Sequence, residues 1–235
     1  MATPGELVKV IAASTGEDEA TVAQHDRNLV MAGLRSKGGR GRSAANVKPR
    51  DAAHILTAIL GSPRVKDSVE TVERYTLTQE HHAYWHEHYP DKLQGMGKAN
   101  VWEDYGIPEL AKLPPDHSFV DALSVIIAIA AEGKLKNELS GYWSLENIKI
   151  IVTSPSTYAR ISISYFQHKD QNASVQADYR PNDLPADWVK NKGLRRSTEM
   201  NALPIIYIGA LLAGRLDELP KLCFDSARED GGARE

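Results

Sequence analysis

Six basic side chains fall within residues 35–50, and this stretch contains neither Asp nor Glu. They are Arg35, Lys37, Arg40, Arg42, Lys48 and Arg50. The formal net charge of the chain is −3, so this basic segment is a local concentration of positive charge. Lys and Arg side chains are the groups that most often contact nucleic-acid phosphates. A run of charge is also typical of a plain solvated surface, so the surrounding elements must decide between the two interpretations.

Four histidines lie close together within residues 76–89 and could do different chemistry. They are His81, His82, His86 and His88. If this stretch is a helix, His82 and His86 lie on one face at a spacing that suits zinc, with nearby carboxylates as further ligands. The alternative, which we favour, is a polar, aromatic-rich helix whose histidines are solvated or hydrogen-bonded. The sequence therefore predicts no metal site here.

The motifs of several enzyme classes are missing from the sequence. It contains no phosphate-binding P-loop, no dinucleotide glycine fingerprint, no Gly-x-Ser-x-Gly elbow and no His-Glu-x-x-His. The single cysteine, Cys223, cannot form an internal disulfide, and it is typical of a partly buried apolar residue in a reducing compartment. We therefore expect neither catalysis nor a cofactor, although an enzyme site built from scattered residues stays open.

Two helices separated by a tight turn precede the basic segment. The apolar spacing of residues 5–14 predicts a short helix, which Thr15-Gly16 ends. A second helix is expected from the acidic residues 17–19 to about Met31, followed by the exit Ala32-Gly33-Leu34. Its predicted outer face carries Thr21, Gln24, His25, Arg27 and Asn28. Two helices joined in about thirty residues have the size of a helix-turn-helix.

Residues 34–49 read as a hairpin that would present the basic side chains. Gly38-Gly39 is a two-residue turn signal, and Pro49 precedes a helix expected over residues 51–60. Such a hairpin would project Lys37, Arg40 and Arg42 on a narrow backbone that can approach a phosphate or a minor groove.

These pieces together resemble a bacterial winged helix-turn-helix. The resemblance lies in Ala20-Thr-Val-Ala-Gln-His-Asp-Arg-Asn-Leu-Val-Met-Ala-Gly-Leu34 followed by Gly38-Gly-Arg-Gly-Arg42. This combination is similar to the GntR and MarR-like groups of winged helix-turn-helix proteins. It covers about a fifth of the chain. The resemblance implies that Thr21, Gln24, His25 and Asn28 face the major groove of DNA. It implies backbone or minor-groove contacts for Lys37, Arg40 and Arg42, and we add the flanking Arg35 and Lys48 to the DNA-binding set.

For the remainder of the chain, the sequence pattern predicts a small layer of helices and antiparallel strands. The expected elements are a helix over residues 118–131, strands over 148–153, 158–166 and 173–179, and a helix over 201–216. Lys190, Lys192, Arg195 and Arg196 form a second basic cluster, either solvated or in contact with nucleic acid. The predicted fold class is α+β, with a mostly helical middle. The predicted domains are a winged helix-turn-helix (1–61), a helical or loop connection (62–116), an α+β dimerisation or sensing domain (117–224) and a flexible tail (225–235).

The predicted function is a sequence-specific transcriptional regulator that binds double-stranded DNA as a homodimer. The alternatives are a phage or plasmid DNA-packaging or partition protein with a DNA-binding head, an enzyme or metal protein centred on residues 81–88, and a winged helix used for protein contacts. We see no signal peptide in the first twenty residues, and the apolar runs are too short to span a bilayer. The sequence therefore predicts a cytoplasmic protein without membrane contact.

Overall fold

The computed structural model describes residues 2–36, 46–87, 102, 107–137, 148–168, 171–182 and 195–219. Within these ranges the chain is a mixture of helices and one antiparallel sheet, so the α+β class is confirmed. The three N-terminal helices are α1 (Pro4–Thr15), α2 (Glu19–Met31) and α3 (Pro49–Gly61). They lie within two residues of the predicted positions, because their apolar residues recur at helical spacing.

Local signals begin and end α1. The side chain of Thr3 accepts a hydrogen bond from the backbone N–H of Glu6, while the Glu6 carboxylate accepts one from the backbone N–H of Thr3. This reciprocal capping satisfies two backbone groups of the first turn, and it lowers the pKa of Glu6. Gly16 ends the helix with φ of +76°, a left-handed conformation in which a residue with a side chain would be strained.

The rest of the chain alternates helices with strands. The helices are α4 (Ser68–Thr76), α5 (Pro108–Ala111), α6 (Phe119–Ala131), α7 (Lys134–Asn137) and α8 (Leu203–Ala213). The strands are β1 (Thr78–Glu87), β2 (Ile148–Ser154), β3 (Tyr158–His168), β4 (Gln171–Pro181) and β5 (Arg196–Asn201). Short 3₁₀ turns cover Val65–Asp67 and Leu216–Glu218.

The five strands form one sheet in the order β1-β4-β3-β2-β5, and every neighbouring pair is antiparallel. The predicted meander of β2, β3 and β4 is present, but it is extended by a strand on each side. The turn between β2 and β3 contains a cis peptide bond between Ser154 and Pro155. The sheet is therefore wider than the sequence predicted.

The prediction of a helix over the histidine-rich residues 76–89 was wrong, because β1 occupies most of them. This strand pairs with β4, nearly a hundred residues later, from Thr78 opposite Pro181 to Glu87 opposite Ala173. The expected mostly helical middle therefore contributes an edge strand to the sheet. In a strand, residues four apart are separated by about 13 Å, so His82 and His86 lack the helical proximity on which the zinc alternative depended.

The helices cover one face of the sheet. Alternate residues of the central strands, such as Ile150, Ile161 and Ala177, are fully buried beneath them. On the opposite face, Arg160 binds Asp178 with 2.7 Å between Nε and Oδ1, and both side chains are partly exposed. One hydrophobic core runs from Leu7 in α1 through the sheet to Leu211 in α8.

Close helix packing links the two ends of the chain. α1 packs on α8, α3 packs on α6, and α6 packs on α8. At the α6–α8 crossing, a Cβ added to Gly209 would lie 2.6 Å from the Cβ of Ala130, so glycine allows this approach. Within the described ranges, no helix is both long enough and apolar enough to cross a membrane.

Candidate nucleic-acid interface

The face of α2 that points into the molecule is partly polar. Val22 and Leu29 are fully buried there, and His25 and Asp26 lie between them on the same helical face. Positions 22, 25, 26 and 29 follow the spacing at which side chains share one face of a helix. Two of the polar residues of α2 are therefore part of the interior, and each needs a partner.

His25 and Asn28 connect α2 to the turn that precedes α4. The Nδ1 atom of His25 lies 2.8 Å from the Oγ atom of Ser68, and burial lowers the pKa of His25. The side-chain amide of Asn28 donates to the carbonyl oxygen of Val65 at 2.9 Å. These bonds fix the rotation of α2 about its own axis, which decides the side chains that it presents to solvent.

Asp26 of α2 binds Arg35, the first residue of the basic segment. It forms an ion pair with Arg35, and the Arg35 Nη2 atom donates to Asp26 Oδ2 at 2.9 Å. Only 6% of the Arg35 side chain and 12% of the Asp26 side chain are exposed. Burial raises the pKa of Asp26, while Arg35 acts in the opposite direction. The chain that leaves α2 is thus held by a buried charge pair.

A second carboxylate joins the two ends of the segment. The backbone N–H of Ser36 donates to Asp51 Oδ1 at 3.1 Å, and that of Lys48 donates to Asp51 Oδ2 at 2.8 Å. His54 donates from Nδ1 to the carbonyl oxygen of Leu34 at 2.5 Å, and burial lowers the pKa of its imidazole. We call Asp26, Arg35, Asp51 and His54 the loop anchor. It brings residues 36 and 48 together at one point on the surface.

The other face of α2 is open to solvent. Ala20, Gln24, Arg27 and Met31 are exposed along it, with 80% of Met31 accessible. The C-terminal half of the helix borders a shallow groove lined by Gln24, Asn28, Met31, Ala32, Val65, Lys66 and Val69. This lining contains a cation and no carboxylate. The acidic residues 17–19 are also exposed, but they lie at the opposite end of α2.

The structure places the predicted DNA-binding residues in three groups. Gln24 and Lys48 are exposed, and Thr21 and Asn28 are half-buried. His25 and Arg35 are buried, with 5% and 7% of each residue accessible, and they bind other parts of the protein. The predicted contacts at Lys37, Arg40 and Arg42 lie outside the described residues, as do Cys223 and the tail.

Sequence reasoning missed Asp26, Asp51 and His54. It assigned Thr21, Gln24, His25, Arg27 and Asn28 to the outer face of α2, since polar side chains are usually solvated, and it assigned no role to Asp26. The signal that could have placed Asp26 inside is its position between Val22 and Leu29 on one helical face. Asp51 and His54 bind backbone atoms that are distant in sequence, and residue spacing cannot reveal such contacts.

A second buried polar cluster lies between the sheet and the residues before α6. Trp102 Nε1 donates to Glu80 Oε2 at 2.8 Å, and the Tyr179 hydroxyl lies 3.3 Å from the same oxygen. The Nε2 atom of His117 lies 3.1 Å from the Tyr179 oxygen. Burial raises the pKa of Tyr179 well above its ordinary value, and the neighbouring Glu80 adds to the shift. We call Glu80, Trp102, His117 and Tyr179 the sheet network.

The sheet network has a structural role in this arrangement. Its polar groups bind one another, and the other ring nitrogen of His117 lies 2.8 Å from the carbonyl oxygen of Pro114. Across the described part of the chain, no three His, Cys, Asp or Glu side chains are placed to hold a metal ion. The loop anchor and the open face of α2 therefore remain the candidate site. No family model, no curated protein and no solved structure matches this chain.

Proposed function

We propose that the protein is a DNA-binding regulator of transcription that acts as a homodimer. The observation that supports this most directly is the Asp51 carboxylate, which receives the backbone N–H groups of Ser36 and Lys48. Between these two residues the sequence has Lys37, Arg40 and Arg42 and no acid. Two residues that flank this basic stretch are thus held by one carboxylate.

The charge distribution favours the C-terminal half of α2, and not its first turn, as the part of the helix that contacts DNA. Glu17, Asp18 and Glu19 are exposed at the start and would repel phosphate. Arg27 is exposed further along, and Lys66 lines the adjacent groove. We therefore assign base contacts to Gln24 and its neighbours on the open face, and phosphate contacts to Arg27 and the basic segment.

His25 and Arg35 take a different part in this proposal. Because each is buried and bound within the protein, we assign them to positioning α2 and the basic segment. Asn28 also donates to Val65, although it borders the groove. Fewer residues of α2 are available to DNA than the sequence alone implied, and they lie on one side of the helix.

The test is fluorescence anisotropy with a random duplex over a salt series. The slope of log affinity against log salt falls by about 0.9 for each phosphate contact that is lost. Arg40→Ala with Arg42→Ala should weaken binding to all sequences and flatten the slope by about one to two units. Arg27→Ala should flatten it by about one unit.

The matched control is Lys112→Ala, which removes another exposed positive charge, after α5. It should leave both the affinity and the salt slope unchanged. If the wild-type protein does not bind the duplex at low salt, or if the control weakens binding as much as Arg27→Ala does, the proposed interface is wrong. The N-terminal helices would then be tested as a docking surface for another protein.

A further inference from the structure

Strand β5 is an edge of the sheet. Among the described residues it pairs with β2 alone, from Ser154 opposite Arg196 to Lys149 opposite Asn201. Along its other side, no backbone group from the described part of the chain forms a hydrogen bond with it. An antiparallel edge of this kind presents unpaired N–H and C=O groups that can receive another strand.

This edge carries the charged residues Arg196 and Glu199, but it lacks three other features that block strand addition. Natural edges carry prolines, bulges or lysines. Strand β5 contains neither proline nor lysine, and its unbroken register with β2 shows no bulge. The opposite edge, β1, has a register shift between Glu80 and His82. Four consecutive residues of β5, Arg196 to Glu199, are exposed. The edge is therefore both accessible and regular.

Pairing with a second copy is restricted by strand geometry. Residues directly opposite each other in an antiparallel pair have the same hydrogen-bonding orientation and point to the same face. A two-fold axis must thus pass through a residue and not between two residues. Ser197 and Thr198 are the two central residues of the exposed stretch, so we compare an axis at each of them. With the axis at Ser197, Arg195 of each copy lies opposite Glu199 of the other. With the axis at Thr198, Glu199 lies opposite Ser197, and no such charge pair forms.

The side chains involved are available for this contact. Arg195 and Glu199 are exposed, and Glu199 lies on the sheet face that carries Lys149. Arg195 is the residue before β5, and extending the strand by this one residue would place it on the same face. Glu199 binds Lys149 within its own chain at 2.9 Å, with about half of each side chain accessible. An arginine from a second copy would add a further positive charge beside the same carboxylate. Opposite charges across a strand pair stabilise it.

We infer that β5 pairs antiparallel with β5 of a second copy, about a two-fold axis at Ser197. The two five-stranded sheets then form one continuous sheet, with an Arg195–Glu199 pair on each side of the axis. This inference rests on the proposed function only in taking the protein to be a homodimer, and it names the surface that forms the dimer. A six-residue edge is a small contact compared with the roughly 1,200–2,000 Å² of stable interfaces. The dimer should therefore dissociate on dilution.

Sedimentation equilibrium of the full chain without DNA tests the charge pairs. Arg195→Glu alone and Glu199→Arg alone should each raise the dimer dissociation constant by about tenfold, since like charges then face each other. The double variant restores the pairs with their signs exchanged and should return to within about threefold of wild type. If Glu199 served only to bind Lys149 within its own chain, the double variant would not recover the wild-type dissociation constant. Circular dichroism checks that each variant folds.

Disulfide trapping tests the register, in a Cys223→Ser background that removes the native thiol. Ser197→Cys places two thiols opposite each other on the axis and should yield a covalent dimer on mild oxidation. Thr198→Cys is the matched control, because residue 198 then faces residue 196, and it should remain monomeric on a non-reducing gel. Trapping by the control but not by Ser197→Cys would overturn the register.

A wild-type chain that stays monomeric at its highest soluble concentration would overturn the inference. This failure is distinguishable from failure of the proposed function. A monomer that still binds DNA in a salt-dependent manner leaves the α2 interface standing and removes the β5 dimer. A dimer that depends on residues 195 and 199 but does not bind DNA supports the β5 pairing and removes the proposed interface.

Discussion

The loop anchor and the sheet network are both buried polar clusters, yet they hold different parts of the molecule. In the loop anchor, Asp51 and His54 bind backbone groups of the chain that enters and leaves the basic segment. In the sheet network, Glu80, His117 and Tyr179 contact one another through their side chains. The first cluster fixes the path of a surface segment, while the second joins elements of the core. Damage to the first should therefore alter binding as well as stability.

The largest effect is expected from Asp26→Ala in the loop anchor. The substitution leaves the Arg35 guanidinium buried without its carboxylate, which should lower the free energy of unfolding by about 3–5 kcal/mol. Urea denaturation measures this loss. The control is Asp26→Leu combined with Arg35→Met, which removes both charges and should recover most of the stability. An Asp26→Ala protein within about 1 kcal/mol of wild type would contradict the assignment of a strong buried pair.

Asp51→Asn should lower the free energy of unfolding by less than Asp26→Ala does, but it should weaken DNA binding more. The amide can accept from only one of the two N–H groups, so stability should fall by about 2 kcal/mol. The ends of the basic segment would no longer be held together, and affinity for a random duplex should fall as well. Anisotropy at a temperature where the variant remains folded separates the two effects. Unchanged affinity would show that the anchor does not serve DNA binding.

Tyr179→Phe tests the sheet network. It removes the hydroxyl that lies within hydrogen-bonding distance of His117 and Glu80, and stability should fall by about 1–2 kcal/mol. Affinity for DNA, measured on the folded protein, should stay at the wild-type value. A loss of affinity comparable to that of Asp51→Asn would erase the distinction between the two clusters.

The smallest expected effect is a loss of stability at acidic pH. It arises from His54 of the loop anchor and from the neighbouring His25. Burial lowers the pKa of His25 and of His54, so the folded state favours their neutral forms more than the unfolded chain does. Their stabilising contribution is complete above the unfolded value of 6.5 and declines as the pH falls below it. Unfolding should therefore become progressively easier as the pH falls below about 6.5.

His54→Gln provides the comparison for this pH dependence, because its amide can still donate to Leu34 without titrating. Urea denaturation at several pH values should give a shallower decline for the variant than for wild type. Equal slopes would show that His54 does not contribute.

The helices were largely predictable, whereas the two edge strands were not. In α6, apolar residues recur along the whole helix, and Ser118 caps its start through Asp121, so the local sequence determines the element. In β5, Met200 is the single buried residue, so no hydrophobic alternation marks the strand. β1 is polar and acquires its structure by pairing with β4, which is distant in sequence. Such non-local pairing leaves little trace in a short window.

The candidate site was predictable to a similar, partial extent. The basic character of the segment and the exposure of Gln24 follow from the sequence and the helical period. The burial of Arg35 does not, because a buried arginine requires a carboxylate from another element, and that partner is visible only in three dimensions. The DNA-binding roles of Lys37, Arg40 and Arg42 remain predictions.

The single carboxylate at Asp51 has a consequence for how this protein could diversify. Since it holds residues 36 and 48 through their backbone N–H groups, the hold is independent of the side chains at those positions. Closing a longer connection is inexpensive, since doubling its length adds only about 0.6 kcal/mol. The two hydrogen bonds to Asp51 are thus compatible with changes in the sequence and length of the chain between residues 36 and 48. Under the proposed function, the binding preference of this stretch could therefore change while Asp51 keeps its hold on both ends.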